Sequence, residues 1–518
     1  MAAGSSTGID AIYQFTSAGV QLFSGAAFYL VIVRLFSTST VGAIALFLAI
    51  IGLFGIIFSF GLATTIQHFI SYHLGNGDYG ALHITMRRLL LYGGALAIAG
   101  GLTTALASGP ISMVFLHTEA YSGLVRLLGL VLVGNVIYGI LNGALLGLHR
   151  FRLAAMISVV TWLMYYFGAI GLTLTVRSVS EIVYGWVLGI YLGTALGMIA
   201  LATIVRRMKP AGAGSVPGPA DVKGMSAAPS IDRLIITYAF PLFLSSIIGY
   251  GATYVDRFVV AGLMTLSSLG IYNFALLVVT GISYITFPFT NILLPKFSTL
   301  FGAGLRGSIR DQVRMSTLLL SAIYVPIALA IAALAPTILE LLGGRSYLGG
   351  SVPLSVIMFL SAAVVSGSIL SQAIASIRRT RVFIYCSAAA LTSNVLLSIL
   401  LIPRFGLLGA SIGFSSADVA PFLVLLVFSC RERLVSFDAS GMEKVWASSV
   451  ATFLLLMALE LWVGSGVFML VPYVISGAAL YLVLSKALGT FSGESKESII
   501  SLFPPSYGWL RRIISLLL

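Results

Sequence analysis

The feature that most limits how this chain can fold is a rhythm: apolar stretches of about 20 residues or more recur along its whole length, broken by short basic clusters. A helix of that length crosses the ~30 Å hydrocarbon core of a bilayer. Within hydrocarbon the backbone must satisfy its own hydrogen bonds, so only helices or a closed barrel can span it. The alternating pattern of barrel strands is absent, which leaves helices. Fourteen stretches qualify: residues 13–36, 41–70, 85–108, 122–148, 153–176, 182–205, 234–263, 269–295, 315–342, 351–376, 382–402, 407–430, 445–465 and 467–486. Of the 518 residues 59% are hydrophobic and only 9% charged, which excludes a soluble enzyme. Two cysteines, Cys386 and Cys430, exclude a disulfide scaffold.

Charge checks the count independently, because loops facing the cytoplasm keep Lys and Arg. With a cytoplasmic amino terminus, the loops after even-numbered spans should be basic. They carry Arg87 and Arg88; Arg150 and Arg152; Arg206, Arg207, Lys209, Lys223 and Arg233; Lys296, Arg306, Arg310 and Arg314; Arg378, Arg379 and Arg381; and Arg431, Arg433 and Lys444. The tail adds Lys486, Lys496, Arg511 and Arg512. The remaining cations are Arg34, Arg126, Arg177, Arg257, Arg345 and Arg404. A missed or extra span would scramble this order downstream, so both termini are expected in the cytoplasm of a multi-pass cell-membrane protein. Anionic lipid and the positive-inside bias account for the net charge of +13 without a nucleic-acid partner.

The Gly-, Ala-, Ser- and Pro-rich segment from Arg206 to Arg233 reads as a cytoplasmic linker. It falls midway through the first twelve spans, and its flanks repeat. Ser37 to Leu46, STSTVGAIAL, precedes Thr265 to Phe274, TLSSLGIYNF, by 228 positions, aligning Gly42 with Gly270. Gly75-Asn76-Gly77 likewise corresponds to Gly302-Ala303-Gly304. The expected organisation is an N-lobe of six spans (1–206), a linker (207–233), a C-lobe of six spans (234–430), two further spans (431–487) and a cytoplasmic tail (488–518) ending in an amphipathic helix. An even number of spans per repeat makes the lobes a parallel pair about a pseudo-two-fold axis along the membrane normal, the plan of an alternating-access transporter. Prolines concentrate in the second lobe, where Pro241 and Pro288 are the expected bends.

Several of these segments resemble one family. Asp256-Arg257-Phe-Val-Val-Ala-Gly262, Ser267-Ser268-Leu269-Gly270-Ile271-Tyr272-Asn273-Phe274-Ala275 and Leu294-Pro295-Lys296-Phe297-Ser298 are similar to the polysaccharide transporter, or O-antigen flippase, family. So are Phe60-Gly61-Leu62-Ala63, Gly75-Asn76-Gly77-Asp78 and Leu401-Ile402-Pro403-Arg404-Phe405-Gly406. That family belongs to the multidrug/oligosaccharidyl-lipid/polysaccharide flippase superfamily. The resemblance covers roughly residues 10–430 and rests on the order and spacing of the fragments together. It implies movement of a polyprenyl-phosphate- or pyrophosphate-linked oligosaccharide from the cytoplasmic to the outer leaflet. Lipid II flippases of the superfamily also have 14 spans, but they concentrate arginines in their first spans, whereas this chain has only Arg34 in span 1. A phosphate clamp of that design is therefore not implied.

Charges within spans are costly, which makes them the first candidates for a site. Arg34 and Arg257 can fork onto phosphate oxygens; Arg34 and Arg126 can equally snorkel to the outer interface. Asp256 is a candidate switch or a structural partner of Arg34 or Arg257. Asp418, near the middle of span 12, is a candidate for H+ or Na+ coupling, unless Ser415 and Ser416 hold it as a structural carboxyl. Gln21, Asn142, Tyr254 and Asn273 are candidate sugar contacts among amides and rings that otherwise bridge helices, and Glu460 is assigned to helix packing or lipid-facing protonation.

The five histidines have no metal-binding spacing, no Walker loop occurs, and neither a metal nor another cofactor is expected. A multidrug exporter of the same superfamily shares every feature except cargo. A membrane glycosyltransferase or O-antigen ligase needs a sizeable outer loop bearing acids or histidines, and the outer loops here are short. A monomer that performs no covalent chemistry is the expectation. The orientation is checked with reporters fused after Leu518: green fluorescent protein should fluoresce there and alkaline phosphatase should be inactive, and the reverse pair would invert the topology.

Overall fold

The computed structural model describes residues 3–207, 239–377, 379, 381–464 and 466–490. Those residues are helical almost throughout. The first half contains α1 (Ala3–Leu35), α2 (Thr38–Ser59), α3 (Leu62–Gly75), α4 (Tyr79–Leu106), α5 (Ser108–Leu116), α6 (Ser122–Gly147), α7 (Phe151–Val176) and α8 (Val179–Arg207). The second contains α9 (Phe240–Leu263), α10 (Leu266–Ser283), α11 (Phe287–Gly302), α12 (Arg306–Ala333), α13 (Ala335–Gly343), α14 (Ser351–Val364), α15 (Gly367–Ser376), α16 (Val382–Phe405), α17 (Leu407–Arg431), α18 (Ala439–Val463) and α19 (Leu470–Ala487). The chain divides into two units, Met1–Tyr250 and Gly251–Leu518. The division falls inside α9, whereas the sequence places it in the linker. That linker, beyond Arg207, and the expected amphipathic tail helix lie outside the described residues.

Thirteen segments among the described residues are long and apolar enough to cross a membrane, one fewer than the sequence count. The difference is α9, which is long enough at 24 residues but is diluted by Asp256, Arg257 and its serines, glycines and tyrosines. Several expected spans are also broken. The stretch 41–70 is two helices, because Phe60 (φ 46°) and Gly61 (φ 71°) both enter the left-handed region. Gly61 is needed there twice over: its φ suits glycine, and a Cβ would lie 2.7 Å from the Ala239 carbonyl oxygen. The stretch 269–295 breaks at a 3-10 turn, Tyr284–Thr286, after which Pro288 opens α11. The expected bend at Pro288 is thus a helix restart, where the missing N–H costs nothing. Pro241 sits in the first described turn of α9, whereas Pro295, Pro326, Pro403 and Pro421 lie inside helices.

The internal repeat extends to the caps. Ser37 accepts a hydrogen bond from the Thr40 N–H and opens α2; 228 positions on, Thr265 accepts one from the Ser268 N–H and opens α10. Gly77 (φ 69°) and Gly304 (φ 74°), 227 apart, turn the chain into α4 and α12. Those helices end at Leu106 and Ala333, again 227 apart, and α5 and α13 keep the same offset at both ends. Twin helical units of this regularity need no sequence identity at most positions, only equivalent caps and turns.

Close helix pairs depend on residues without bulk. In unit 1, α7 and α8 pack extensively, with Gly185, Gly189 and Gly193 against Ala169, Tyr165 and Thr161. In unit 2, Gly409 and Gly413 of α17 lie against Leu401 and Ser398 of α16. In lipid, where no hydrophobic effect drives helices together, such backbone proximity gains dispersion contacts instead. The two extra spans join unit 2 through α18, which packs on α12. Arg314 pairs with Asp438 at 3.3 Å, Tyr481 donates to the Ala322 carbonyl at 2.8 Å, and Glu460 accepts from the Thr337 N–H (3.0 Å) and hydroxyl (2.6 Å). Glu460 therefore bridges helices and satisfies an orphan donor at the start of α13.

Replacing Gly61 by Ala should cost about 1–3 kcal/mol, because it combines left-handed backbone with a backbone clash. The same change at Gly19, where a Cβ meets nothing within 4 Å, should leave stability unchanged or raise it. Thermal unfolding midpoints in detergent compare the two.

Candidate functional site

Unit 2 assembles its polar interior where α9, α10, α16 and α17 meet. The carboxylate of Asp256 is fully buried, and the Tyr272 hydroxyl, also fully buried, donates to its Oδ2 at 2.7 Å. The same hydroxyl lies 3.2 Å from the Ala410 carbonyl oxygen of α17. Asp256 Oδ1 accepts no hydrogen bond among the described residues but faces Arg257 Nη1 at 3.5 Å. Adjacent residues on a helix point about 100° apart, so this pair forms only because the long Arg257 side chain folds back.

Arg257, 8% exposed, is itself held on several sides. Its Nη1 donates to the Thr253 carbonyl at 2.6 Å and its Nε to Asn273 Oδ1 at 3.3 Å. The guanidinium carbon lies 4.4 Å from the Tyr254 ring centroid and 5.9 Å from that of Phe414. Asn394 of α16 donates to the Ala252 carbonyl at 2.9 Å and accepts from Ser398 at 2.9 Å. A carboxylate and a guanidinium this deep are costly unless paired and hydrogen-bonded, and most of the surrounding polar groups serve that purpose.

The repeat shows that the fold does not require this cluster. Stepping back 228 positions, Asp256 and Arg257 correspond to Phe28 and Tyr29, and Tyr272 to Ile44. There, unit 1 has an aromatic core. Phe28, fully buried, lies 5.5 Å from the Tyr166 ring and 6.0 Å from Trp186, which stacks on Tyr165 at 5.6 Å. Gly189 meets Tyr165 as Gly413 meets Ser398. One copy of the unit is therefore stabilised by dispersion and burial, and the other spends the equivalent volume on an ion pair.

Among the candidates, the structure brings Asp256, Arg257, Tyr254 and Asn273 together. Arg257 is buried and engaged with the half-buried Asn273. Gln21 and Arg34 are exposed on α1 of unit 1, and Asn142 is half-buried on α6. Arg126 is exposed near the start of α6, in keeping with snorkelling. Asp418 lies eight residues along α17 from Ala410, about 12 Å at the helical rise. It is exposed and has no ion-pair partner among the described residues. The alternative that Ser415 and Ser416 hold Asp418 is corrected: Ser416 donates to the Gly413 carbonyl, and Ser415 Oγ is buried without a partner among the described residues. Ser398 was not singled out from the sequence. Its one signal is its place four residues after Asn394, on the same helix face. No group of three His, Cys, Asp or Glu that could hold a metal ion occurs among the described residues.

The described residues define a polytopic helical bundle made of repeated units, with a buried ion pair inside one of them. Structural comparison agrees. The chain is similar to a lipid II flippase in an inward closed conformation (TM-score 0.69, 14% identity, covering 92% of this chain and 98% of that one). It is also similar to an inward-facing multidrug resistance transporter of the MATE family (TM-score 0.60, 16% identity, 82% and 96%). A MATE transporter of Vibrio cholerae matches less well (TM-score 0.52, 15% identity, 83% and 99%). Residues 31–353 match the model of the polysaccharide biosynthesis protein family, and the chain belongs to that family. An uncharacterized membrane protein of Methanocaldococcus jannaschii is 25% identical over 219 residues, 41% of this chain. The match spans 42% of that relative's length.

Tyr272→Phe removes the hydroxyl that serves both Asp256 and Ala410, and should cost about 1–3 kcal/mol by leaving buried acceptors unpaired. In a double-mutant cycle with Asp256→Asn the two effects should be non-additive by about 0.5–3 kcal/mol. Additive shifts in the detergent unfolding midpoint would mean that the pair does not interact.

Proposed function

We propose that this protein is a flippase, carrying a polyprenyl-phosphate- or pyrophosphate-linked oligosaccharide from the cytoplasmic to the outer leaflet by alternating access. The observation that carries the reading is membership of a polysaccharide biosynthesis family over residues 31–353 in a chain whose whole fold is similar to that of a lipid II flippase. Physics gives the task its shape. A glycan with a phosphate cannot cross hydrocarbon unaided, because its polar groups would lose water without replacement, whereas its lipid tail can stay in the bilayer. A protein that shelters only the headgroup meets both demands. No bond in the cargo is made or broken, so the protein acts as a transporter and not as an enzyme.

Arg34 and Arg257 are the proposed phosphate contacts, and Gln21, Asn142, Tyr254 and Asn273 the proposed sugar contacts. Arg257 would have to exchange Asn273 and Thr253 for substrate oxygens, which makes its release part of the cycle. Asp256 and Asp418 are the proposed coupling or switch carboxylates, with H+ or Na+ as the driving ion. The aromatic core at the equivalent position of unit 1 supports a role beyond stability, since a buried ion pair can generally be replaced by well-packed apolar groups without loss. The two repeats are proposed to form a parallel pair of lobes that rock against each other, in a monomer with both termini in the cytoplasm.

Leaflet transfer of labelled lipid-linked oligosaccharide in proteoliposomes, with and without a proton or sodium gradient, tests the reading. Asp418→Asn and Arg257→Ala should each lower transfer about tenfold or more, with Asp418→Asn also abolishing the response to the gradient. Unchanged transfer in both variants would remove the site assignments. Transport of cationic dyes without movement of lipid-linked sugar would replace the flippase reading with drug export.

A further inference from the structure

Unit 1 contains a cavity that the transport reading does not use. Helices α4 and α8 both pack on α6 and leave a groove between them of about 410 Å³. Its floor is Ile137, Ile140 and Leu141; Met86, Leu90 and Gly94 form one wall, and Met198, Leu201, Ala202 and Val205 the other. Every lining side chain is apolar, Met198 is 51% exposed, and a Cβ on Gly94 would meet nothing within 4 Å. The wall from Met86 to Gly94 is about 12 Å long at 1.5 Å per residue, comparable to the ~15 Å depth of one leaflet.

Each wall has a cation next to its last lining residue. Arg87 directly follows Met86 and shares a helix face with Leu90 and Gly94, three and seven residues on; Arg206 directly follows Val205 and shares a face with Ala202, four residues back. Both arginines are exposed, and neither forms an ion pair among the described residues. An apolar slot about one leaflet deep, with an exposed arginine next to the last lining residue of each wall, suits a lipid whose phosphate lies at that end.

We propose that this groove is a binding site for one acyl chain of an anionic phospholipid, with Arg87 and Arg206 holding the phosphate. Under the orientation proposed above, the lipid belongs to the cytoplasmic leaflet. Its single-leaflet depth favours an ordinary acyl chain over the much longer isoprenoid of the cargo. The site rests on the proposed orientation only for the choice of leaflet, which the reporter fusions test separately, and it does not depend on the cargo.

Native mass spectrometry of the full-length protein tests it, using phosphatidylglycerol and phosphatidylcholine of identical chains as probes. Wild type should retain one phosphatidylglycerol about tenfold more tightly than phosphatidylcholine. Gly94→Leu and Ala202→Leu, which fill the groove from opposite walls, should each abolish that retention while keeping the wild-type unfolding midpoint. The double variant Arg87→Gln/Arg206→Gln should keep one bound lipid but lose the headgroup preference. Equal retention of both lipids by wild type, or wild-type retention in a folded filled-groove variant, would overturn the proposal. So would displacement of phosphatidylglycerol by an equal concentration of a polyprenyl phosphate, which would assign the groove to the cargo's tail.

Discussion

Hydrocarbon supplies no hydrogen bonds, and the rest of this structure follows from that constraint. It makes the spanning segments helical, and it removes the hydrophobic force that would otherwise press helices together. What remains to hold α7 on α8, or α16 on α17, is close approach of backbones, and glycine is the residue that permits it. Gly189 against Tyr165 and Gly413 against Ser398 are the same solution in the two units. The constraint also makes every polar group inside a unit costly, and most of those around Asp256 and Arg257 are bonded to one another.

Against that background the two units differ in an informative way. They share caps, turns and several helix starts at nearly constant offsets, yet one fills its centre with Phe28, Tyr165, Tyr166 and Trp186 and the other with Asp256, Arg257, Tyr272 and Asn394. Duplicated scaffolds allow one copy to retain stability while the other carries groups able to change charge or partners. A network in which one hydroxyl serves both Asp256 and Ala410, and one guanidinium serves Asp256, Thr253 and Asn273, has several ways of being rearranged by a single proton, ion or phosphate. An aromatic cluster has none. This asymmetry accords with the switch role proposed for Asp256.

Much of the architecture is legible in the sequence, because the bilayer imposes a length on each span and a charge bias on each loop. Thirteen of the fourteen expected spans contain a helix long and apolar enough to cross a membrane, and the repeat at Ser37 and Thr265 proves to be a shared N-cap. Helix breaks were less legible. Nothing local in Phe60-Gly61 separates a packed glycine from a left-handed one, and the need for Gly61 comes from the Ala239 carbonyl, distant in sequence. Asp256 and Arg257 stood out as charges in an apolar stretch. Of their partners, Tyr254 and Asn273 are candidates from the sequence in another role, whereas the Tyr272 hydroxyl meets Asp256 only once the helices converge.

The sequence alone therefore determined that the chain is a helical membrane protein with many spans, which loops are basic, and that its halves repeat. Each of these follows from a one-dimensional quantity, the length and charge of successive segments, that the bilayer reads without reference to neighbouring helices. Only the tertiary structure decided that Arg257 folds back onto Asp256, that Asp418 has no help from Ser415 or Ser416, and that α4 and α8 leave an apolar groove over α6. Those outcomes depend on which faces of separate helices meet, and that is set by packing between residues tens to hundreds of positions apart.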